Sequence, residues 1–100
     1  MSNLKYLKGR RGEYKCQRIL EKEGYFTWRT PGSKSNWDVL AVFILHTNPD
    51  EKPIFRWVQV KTYKPTKKDF YKVENTYLPN QISKELWVLE PYKELKIYYF

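Results

Sequence analysis

Two long apolar runs, separated by a single polar turn, constrain the fold of this chain more than any other feature. Residues 37–46 read WDVLAVFILH, and residues 54–63 read IFRWVQVKTY. After Asp38 the first run is apolar at both odd and even positions, which is the pattern of a strand covered on both faces. The intervening TNPDEKP is rich in turn residues and permits an antiparallel connection. We therefore predict two neighbouring central strands in a sheet.

A helix is predicted over residues 8–23, ahead of these strands. Its apolar and small positions recur at helical spacing and share one face. They are Gly12, Cys16, Ile19 and Leu20. Gly24 follows a last turn that contains lysine, so it is predicted to end the helix, with Tyr25 as the apolar residue beyond that end.

The remaining segments predict three strands and a second helix. Residues 25–30 are aromatic and β-branched and predict a first strand, which Pro31 ends. Residues 66–78 have apolar side chains at helical spacing and predict a short helix, and residues 85–100 read as two strands around a turn. The predicted fold is α/β, with a central mixed sheet of about five strands, an N-terminal helix and a short second helix. A chain of this length is expected to form one domain, residues 1–100.

The balance of charges predicts a polyanionic partner. Nineteen Lys and Arg residues against eleven Asp and Glu residues give a net charge of +8. Such an excess on a small domain is typical of proteins that bind nucleic acids, although a solvated basic surface is the simpler alternative. Two basic segments, residues 5–11 and 61–68, are predicted to contact phosphates. The residues assigned to this contact are Lys8, Arg10, Arg11, Lys64, Lys67 and Lys68.

Other features of the sequence exclude several classes of protein. No run reaches the ~18 apolar residues that a membrane-spanning helix needs. The polar, basic start lacks the apolar core of a signal peptide. Cys16 is the only cysteine, which excludes an internal disulfide and fits a reducing compartment. We therefore predict a cytoplasmic protein without a membrane span.

Polar residues interrupt one face of the second apolar run. Gln59 and Lys61 are two positions apart and share a strand face, whereas Val58 and Val60 point to the opposite face. Burying a glutamine or a lysine without partners costs several kcal/mol, so such an interruption tends to mark a functional site. In an antiparallel pair, the start of the first run lies beside the end of the second. Asp38 is therefore predicted to lie next to Gln59 and Lys61.

These residue types favour a magnesium site. A carboxylate, an amide oxygen and a backbone carbonyl are the hard ligands that Mg²⁺ accepts. A lysine beside the ion can orient water or neutralise charge on a phosphodiester, and Glu13 could add a carboxylate from the first helix. Each residue also has a structural explanation. Asp38 could be a strand-entry cap or half of a surface ion pair, and Gln59 could satisfy a neighbouring backbone group. Lys61 could be a snorkelling side chain, and Glu13 a partner of the helix dipole.

The order Glu13, Asp38, Gln59-x-Lys61 resembles that of the PD-(D/E)xK nuclease superfamily. Within it, KGRRGEYKCQRILEKEGYFTWRTPGSKSNWD resembles the opening of the archaeal Holliday junction resolvases: a basic start with glycine, a helix carrying a glutamate, a glycine-aromatic helix end, and a Gly/Ser/Lys loop before the aspartate. The resemblance covers roughly residues 8–64. It implies the restriction-endonuclease-like fold.

The resemblance also implies roles for individual residues. Asp38 would be the principal metal ligand, and Lys61 the catalytic lysine. Gln59, the Val60 carbonyl and Glu13 would be further metal ligands. The polar loop that contains Ser33 and Lys34 would be mobile and contact DNA. Two positions depart from the usual motif: Trp37 replaces its proline, and Gln59 replaces an acid, as in the Q-x-K of Mrr-like restriction nucleases.

The implied function is that of a Mg²⁺-dependent endonuclease acting on branched DNA such as a four-way junction, with Mn²⁺ as the alternative ion. Such resolvases are homodimers, and the aromatic residues 96–100 could provide an apolar dimer surface or the outer strand of a monomer. Two alternatives remain open. One is a nuclease of the same superfamily with another DNA specificity, of the restriction or repair type. The other is a non-catalytic nucleic-acid-binding module in which Gln59 marks a lost site.

Overall fold

The computed structural model describes residues 2–29, 38–44 and 52–100, and the side chains from Arg10 onward within these ranges. The elements are α1 (Ser2–Lys22), β1 (Phe26–Arg29), β2 (Val39–Phe43), β3 (Ile54–Lys61), α2 (Lys67–Glu74), β4 (Ile82–Val88) and β5 (Lys96–Tyr99). The predicted α/β class and the predicted order of helices and strands are confirmed. Within the described ranges, no helix has the length and hydropathy needed to cross a membrane.

The five strands form one mixed sheet in the order β1-β2-β3-β4-β5. The pairs β1–β2, β2–β3 and β4–β5 are antiparallel, whereas β3 and β4 are parallel and α2 connects them. The antiparallel pairing predicted for the two apolar runs is confirmed, with Val39 opposite Val58. Most of the turn predicted between them lies outside the described residues.

Helix α1 begins earlier than predicted and ends at Lys22, one residue before the predicted end. It starts at Ser2 rather than at Lys8, because residues 2–7 contain no glycine or proline that would interrupt it. At the other end, Gly24 adopts a φ of 97°. The Tyr25 N–H donates to the Leu20 carbonyl at 3.0 Å, and the Gly24 N–H donates to the Glu21 carbonyl at 3.0 Å. This is the Schellman arrangement that a glycine at this position favours.

The two faces of the sheet carry separate apolar clusters. Helix α1 covers one face, where its buried residues pack with Val58 and Val60 of β3. Helix α2 covers part of the other face, where Val73 packs with Trp57, Leu86 and Val88. The predicted division of β3 into two faces is therefore confirmed. Gln59 and Lys61 of β3 lie on the α2 side.

Gly12 allows α1 to approach the end of β3 closely. A Cβ atom at this position would lie 2.6 Å from Thr62 Cγ2 and 3.3 Å from Val60 Cγ1. We expect Gly12→Ala to lower the free energy of unfolding by about 1–2 kcal/mol, because overpacking outweighs the better helix propensity of alanine. Urea denaturation measures this loss. Thr62→Ser removes the clashing methyl group, so the double variant Gly12→Ala/Thr62→Ser should regain most of it; an equal loss in both backgrounds would contradict the close approach.

Candidate active site

Asp38 lies at the start of β2 and continues the pairing with β3 through both its backbone and its side chain. Its N–H donates to the Val58 carbonyl at 2.9 Å. Its Oδ2 accepts the Val60 N–H at 2.8 Å and the Gln59 Nε2 at 3.0 Å. The structure thus brings Asp38 and Gln59 together at the end of the β2–β3 pair, and the carboxylate satisfies a backbone N–H that β2 no longer reaches.

The side-chain amide of Gln59 is satisfied on one side only. A carboxylate only accepts hydrogen bonds, so the NH₂ group faces Asp38 and the orientation of the amide is fixed. Its Oε1 atom is buried, and the described part of the chain offers it no hydrogen-bond donor. A buried acceptor without a partner costs about 1–3 kcal/mol. This oxygen is therefore suited to a donor or a cation that comes from outside the described residues.

Lys61 is a cation that lies close to Asp69 and Tyr63. Its Nζ lies 3.6 Å from Asp69 Oδ1, and the two side chains are 21% and 13% exposed. The same Nζ lies 5.6 Å from the centre of the Tyr63 ring. Burial lowers the pKa of Lys61, but Tyr63, Asp69 and Asp38 together outweigh burial, so the pKa lies above its ordinary value.

Glu13 lies on α1 and approaches the site from the other face of the sheet. Its Oε1 lies 3.6 Å from Arg29 Nη1. Burial raises the pKa of Glu13, the charge of Asp38 raises it further, and Arg29 and Arg10 oppose this increase. The two carboxyl groups therefore share one electrostatic environment, although the ion pair of Glu13 is with Arg29.

The pKa of Asp38 is likewise set by opposing influences. Burial raises its pKa above the ordinary value, while the hydrogen bond from Val60 and the charges of Lys61 and Arg29 oppose that rise. A cation placed between Asp38 and Glu13 would relieve their mutual repulsion.

The donor atoms of this site are of the kind that Mg²⁺ prefers. Across residues 2–29, 38–44 and 52–100, no cluster of three or more His, Cys, Asp or Glu residues is arranged for a metal ion. Mg²⁺ does not require such a cluster, because it commonly keeps several waters and takes one or two carboxylates. The Asp38 carboxylate accepts the Gln59 NH₂ group and the Val60 N–H, and the oxygen of the same Gln59 amide is buried without a partner among the described residues. The residues therefore fit a weakly coordinated magnesium ion.

Sequence reasoning missed two charged residues of the site, Arg29 and Asp69. Arg29 is the last residue of β1 and pairs with Val39, which follows Asp38 directly. The sequence carries a signal for Asp69, because TKKD has the spacing of a helix capping box. It carries no signal that this carboxylate also reaches Lys61, since that depends on how α2 crosses the sheet.

The predicted DNA contacts fall into three groups. Exposed side chains are those of Arg11, Lys64, Lys67 and Lys68. Arg10 is partly buried, and its Nη2 donates to the Tyr14 hydroxyl at 3.1 Å. Lys8 lies within α1, and Ser33 and Lys34 fall outside the described residues. The first two groups place positive charge on α1 and at the start of α2.

Residues 96–100, for which the sequence allowed either a dimer surface or an outer strand, form part of the fold of the single chain. Strand β5 pairs with β4, and Ile97 packs on the α1-side core. Tyr98 contacts the Phe70 ring edge-on, with the ring centres 5.0 Å apart. Tyr99 remains 66% exposed. The outer-strand alternative thus describes this segment, and the homodimer remains a prediction.

Comparisons of this chain with protein-family models, with curated proteins and with solved structures found no match. The resemblance of residues 8–64 to a nuclease superfamily therefore remains a prediction from the sequence. A functional assignment depends on the residues of the site and on their geometry.

Proposed function

We propose that this chain is a metal-dependent endonuclease that hydrolyses phosphodiester bonds in DNA. The observation that carries this proposal is the joint position of Asp38, Gln59 and Lys61. The first two are hydrogen-bonded, the third is a charged neighbour, and a buried oxygen of Gln59 has no partner within the described chain. A buried oxygen without a partner costs stability, which favours a function for Gln59 beyond stabilising the strands.

The arrangement of helices and strands supports the restriction-endonuclease-like fold as the finer assignment. Helix α1 precedes the antiparallel strands β1, β2 and β3, and α2 then leads to the parallel strand β4. The proposed site lies where β2 begins and β3 ends, within reach of the charged residues of α1 and α2.

The roles of the residues follow from their contacts. Asp38 and the Gln59 oxygen would hold the ion, with the Val60 carbonyl as a further donor. Glu13 would contribute directly or through water. The ion would supply Lewis-acid activation of water and phosphate. Lys61 places positive charge where negative charge develops on the phosphate oxygens. In the net reaction, the hydroxyl group of water joins phosphorus and a proton joins the departing ester oxygen.

Branched DNA is the proposed substrate, and the charge of the chain supports a polyphosphate partner. The net charge is +8, and exposed lysines continue from β3 into the first turn of α2. Recognition would use the backbone and shape of the DNA. A homodimer acting inside the cell would place two such sites on the two symmetric strands of a junction.

The alternative of a non-catalytic binding module has one observation in its favour. Gln59 is neutral, so the proposed site has less negative charge than a site with an acid at that position. Metal affinity would then be lower. Binding of DNA would survive such a change because the basic surface remains.

A cleavage assay separates these proposals. We expect wild-type protein to cleave a synthetic four-way junction with Mg²⁺ or Mn²⁺, and not with EDTA. Lys61→Ala should reduce the rate at least about a hundredfold, because one charge that stabilises the transition state is lost. Lys93→Ala, which changes an exposed lysine, is the control and should retain full rate.

The same assay, run on different DNA substrates and with different metals, distinguishes the possible nuclease specificities. Symmetric nicks in the junction, without cleavage of a matched duplex or of single strands, would select a resolvase. Cleavage of the duplex or the single strands would select another specificity. Binding without cleavage in either metal would contradict the nuclease and favour the binding module.

A further inference from the structure

We propose that Asp69 is a positioning residue for Lys61, an assignment that deepens the proposed nuclease function and rests on it. Asp69 lies on α2, outside the strands that carry Asp38, Gln59 and Lys61. Its Oδ1 lies 3.6 Å from Lys61 Nζ, and both side chains are largely removed from solvent. The lysine is thus anchored by a residue that neither strand provides.

The capping box of α2 fixes Asp69 itself. Its Oδ2 accepts the Thr66 N–H at 2.8 Å and the Thr66 hydroxyl at 3.2 Å. The Asp69 N–H donates in return to the Thr66 hydroxyl oxygen at 3.4 Å. One carboxylate oxygen therefore belongs to the helix cap, and the other remains directed at Lys61. The first turn of α2 thereby acts as a rigid support for a flexible side chain.

Lys61 needs such a support because Asp38 does not provide it. The hydrogen bonds that Asp38 accepts within the described chain go to its Oδ2, from Val60 and Gln59. The ion pair that orients the Lys61 ammonium is with Asp69. An ammonium group carries three donors, so the contacts with Asp69 and Tyr63 leave at least one donor for water or a phosphate at the site. Preorganisation of this kind supports catalysis because a small displacement of a charged group is costly.

The same turn links Lys61 to the proposed DNA track. Lys67 and Lys68 are the first residues of α2 and are exposed, directly before Asp69. Phosphates bound by these lysines would contact the turn that holds Asp69. The position of Lys61 and the binding of the substrate therefore depend on one short segment.

Three variants separate the charge of Asp69 from its role in the cap. Asp69→Asn keeps an oxygen that can accept the Thr66 N–H but removes the charge that faces Lys61. Asp69→Glu keeps the charge and is the usual residue at this place of a capping box. Thr66→Val removes the capping hydroxyl and leaves the ion pair.

We expect Asp69→Asn to lower kcat on the four-way junction by between about tenfold and a hundredfold, with KM unchanged. Asp69→Glu should recover most of kcat. Thr66→Val should lower Tm while kcat changes less than twofold. If Asp69 had only a structural role, kcat would fall in proportion to Tm in all three variants. That result would overturn the proposal.

A double-variant comparison gives the decisive readout. In the Lys61→Ala background, Asp69→Asn should cause no further loss of kcat, because the residue it positions is absent. A further loss equal to that in wild type would overturn the proposal. Thermal melts without metal or DNA test the ion pair by itself, on wild type, Lys61→Ala, Asp69→Asn and the double variant. The shifts in Tm of the two single variants should not add up to the shift of the double variant. Additive shifts would overturn the proposal. Non-additive shifts in Tm, combined with no cleavage by wild type, would confirm the ion pair. They would refute the nuclease function and, with it, the positioning role of Asp69.

Discussion

Replacing Asp38 with asparagine should lower metal-dependent cleavage by about three orders of magnitude, because the proposed site would lose its principal charged metal ligand and with it several kcal/mol of transition-state stabilisation. The fold should survive. Asparagine has nearly the same shape, and its oxygen can still accept the Val60 N–H that Asp38 accepts at 2.8 Å. Burial raises the pKa of Asp38, so the charged carboxylate is costly to bury, and Tm should not fall on its removal.

A second measurement tests metal binding by Asp38 without an activity assay. Mg²⁺ or Mn²⁺ should raise the Tm of wild type, because a ligand that binds only the folded state stabilises it. The same ion should leave the Tm of Asp38→Asn unchanged. Glu94→Gln removes an exposed carboxylate and serves as the matched control, with both cleavage and the metal-induced shift retained. Full cleavage by Asp38→Asn would rule out the proposed ligand.

Removing Glu85 should destabilise the fold more than removing any exposed carboxylate. Glu85 is fully buried. It accepts two hydrogen bonds from Arg56, both at 2.7 Å, and one each from Ser83 at 2.8 Å and Trp87 at 2.9 Å. These bonds hold the pKa of Arg56 above its ordinary value. Breaking such a pair leaves a buried charge without compensation, so we expect Glu85→Ala to cost about 3–5 kcal/mol of unfolding free energy.

Urea denaturation of a small set of variants measures this cost. The double variant Arg56→Met/Glu85→Leu removes both charges and should lose much less than Glu85→Ala, because no unpaired charge remains. Lys93→Ala breaks the Lys93–Glu90 pair, in which the lysine is 67% exposed, and should change stability by less than about 1 kcal/mol. If Glu85→Ala lost no more than this control, the buried pair would have no structural importance.

The sequence was most informative about the strands. The two apolar runs predicted the β2–β3 pair because apolar residues at both parities leave few alternatives to a covered strand. The same parity separated Val58 and Val60 from Gln59, and antiparallel pairing placed Asp38 beside Gln59. These inferences needed only contacts between strands that follow one another in the chain.

Contacts that depend on the crossover from β3 to β4 could not be predicted. Arg56 is a charged residue on the same face as the apolar Val58, and its partner Glu85 becomes known only from the parallel register that sets Arg56 opposite Ser83. The pairing of Lys61 with Asp69 depends likewise on the position of α2. The orientation of the Gln59 amide could not be predicted either. Which way its oxygen and its NH₂ group point is decided by the neighbouring Asp38 carboxylate.

The sequential order of the strands also bears on how the chain folds. Each strand pairs with the strand next to it in the sequence, so every ladder closes a short or moderate loop. The entropy lost in closing such loops is modest, and topologies with few distant pairings fold quickly for their size. Strands β1, β2 and β3 need no residue beyond Lys61 to find their register. Asp38, Gln59 and Lys61 therefore lie on or beside strands that can pair early, and the turn that carries Asp69 can dock afterwards.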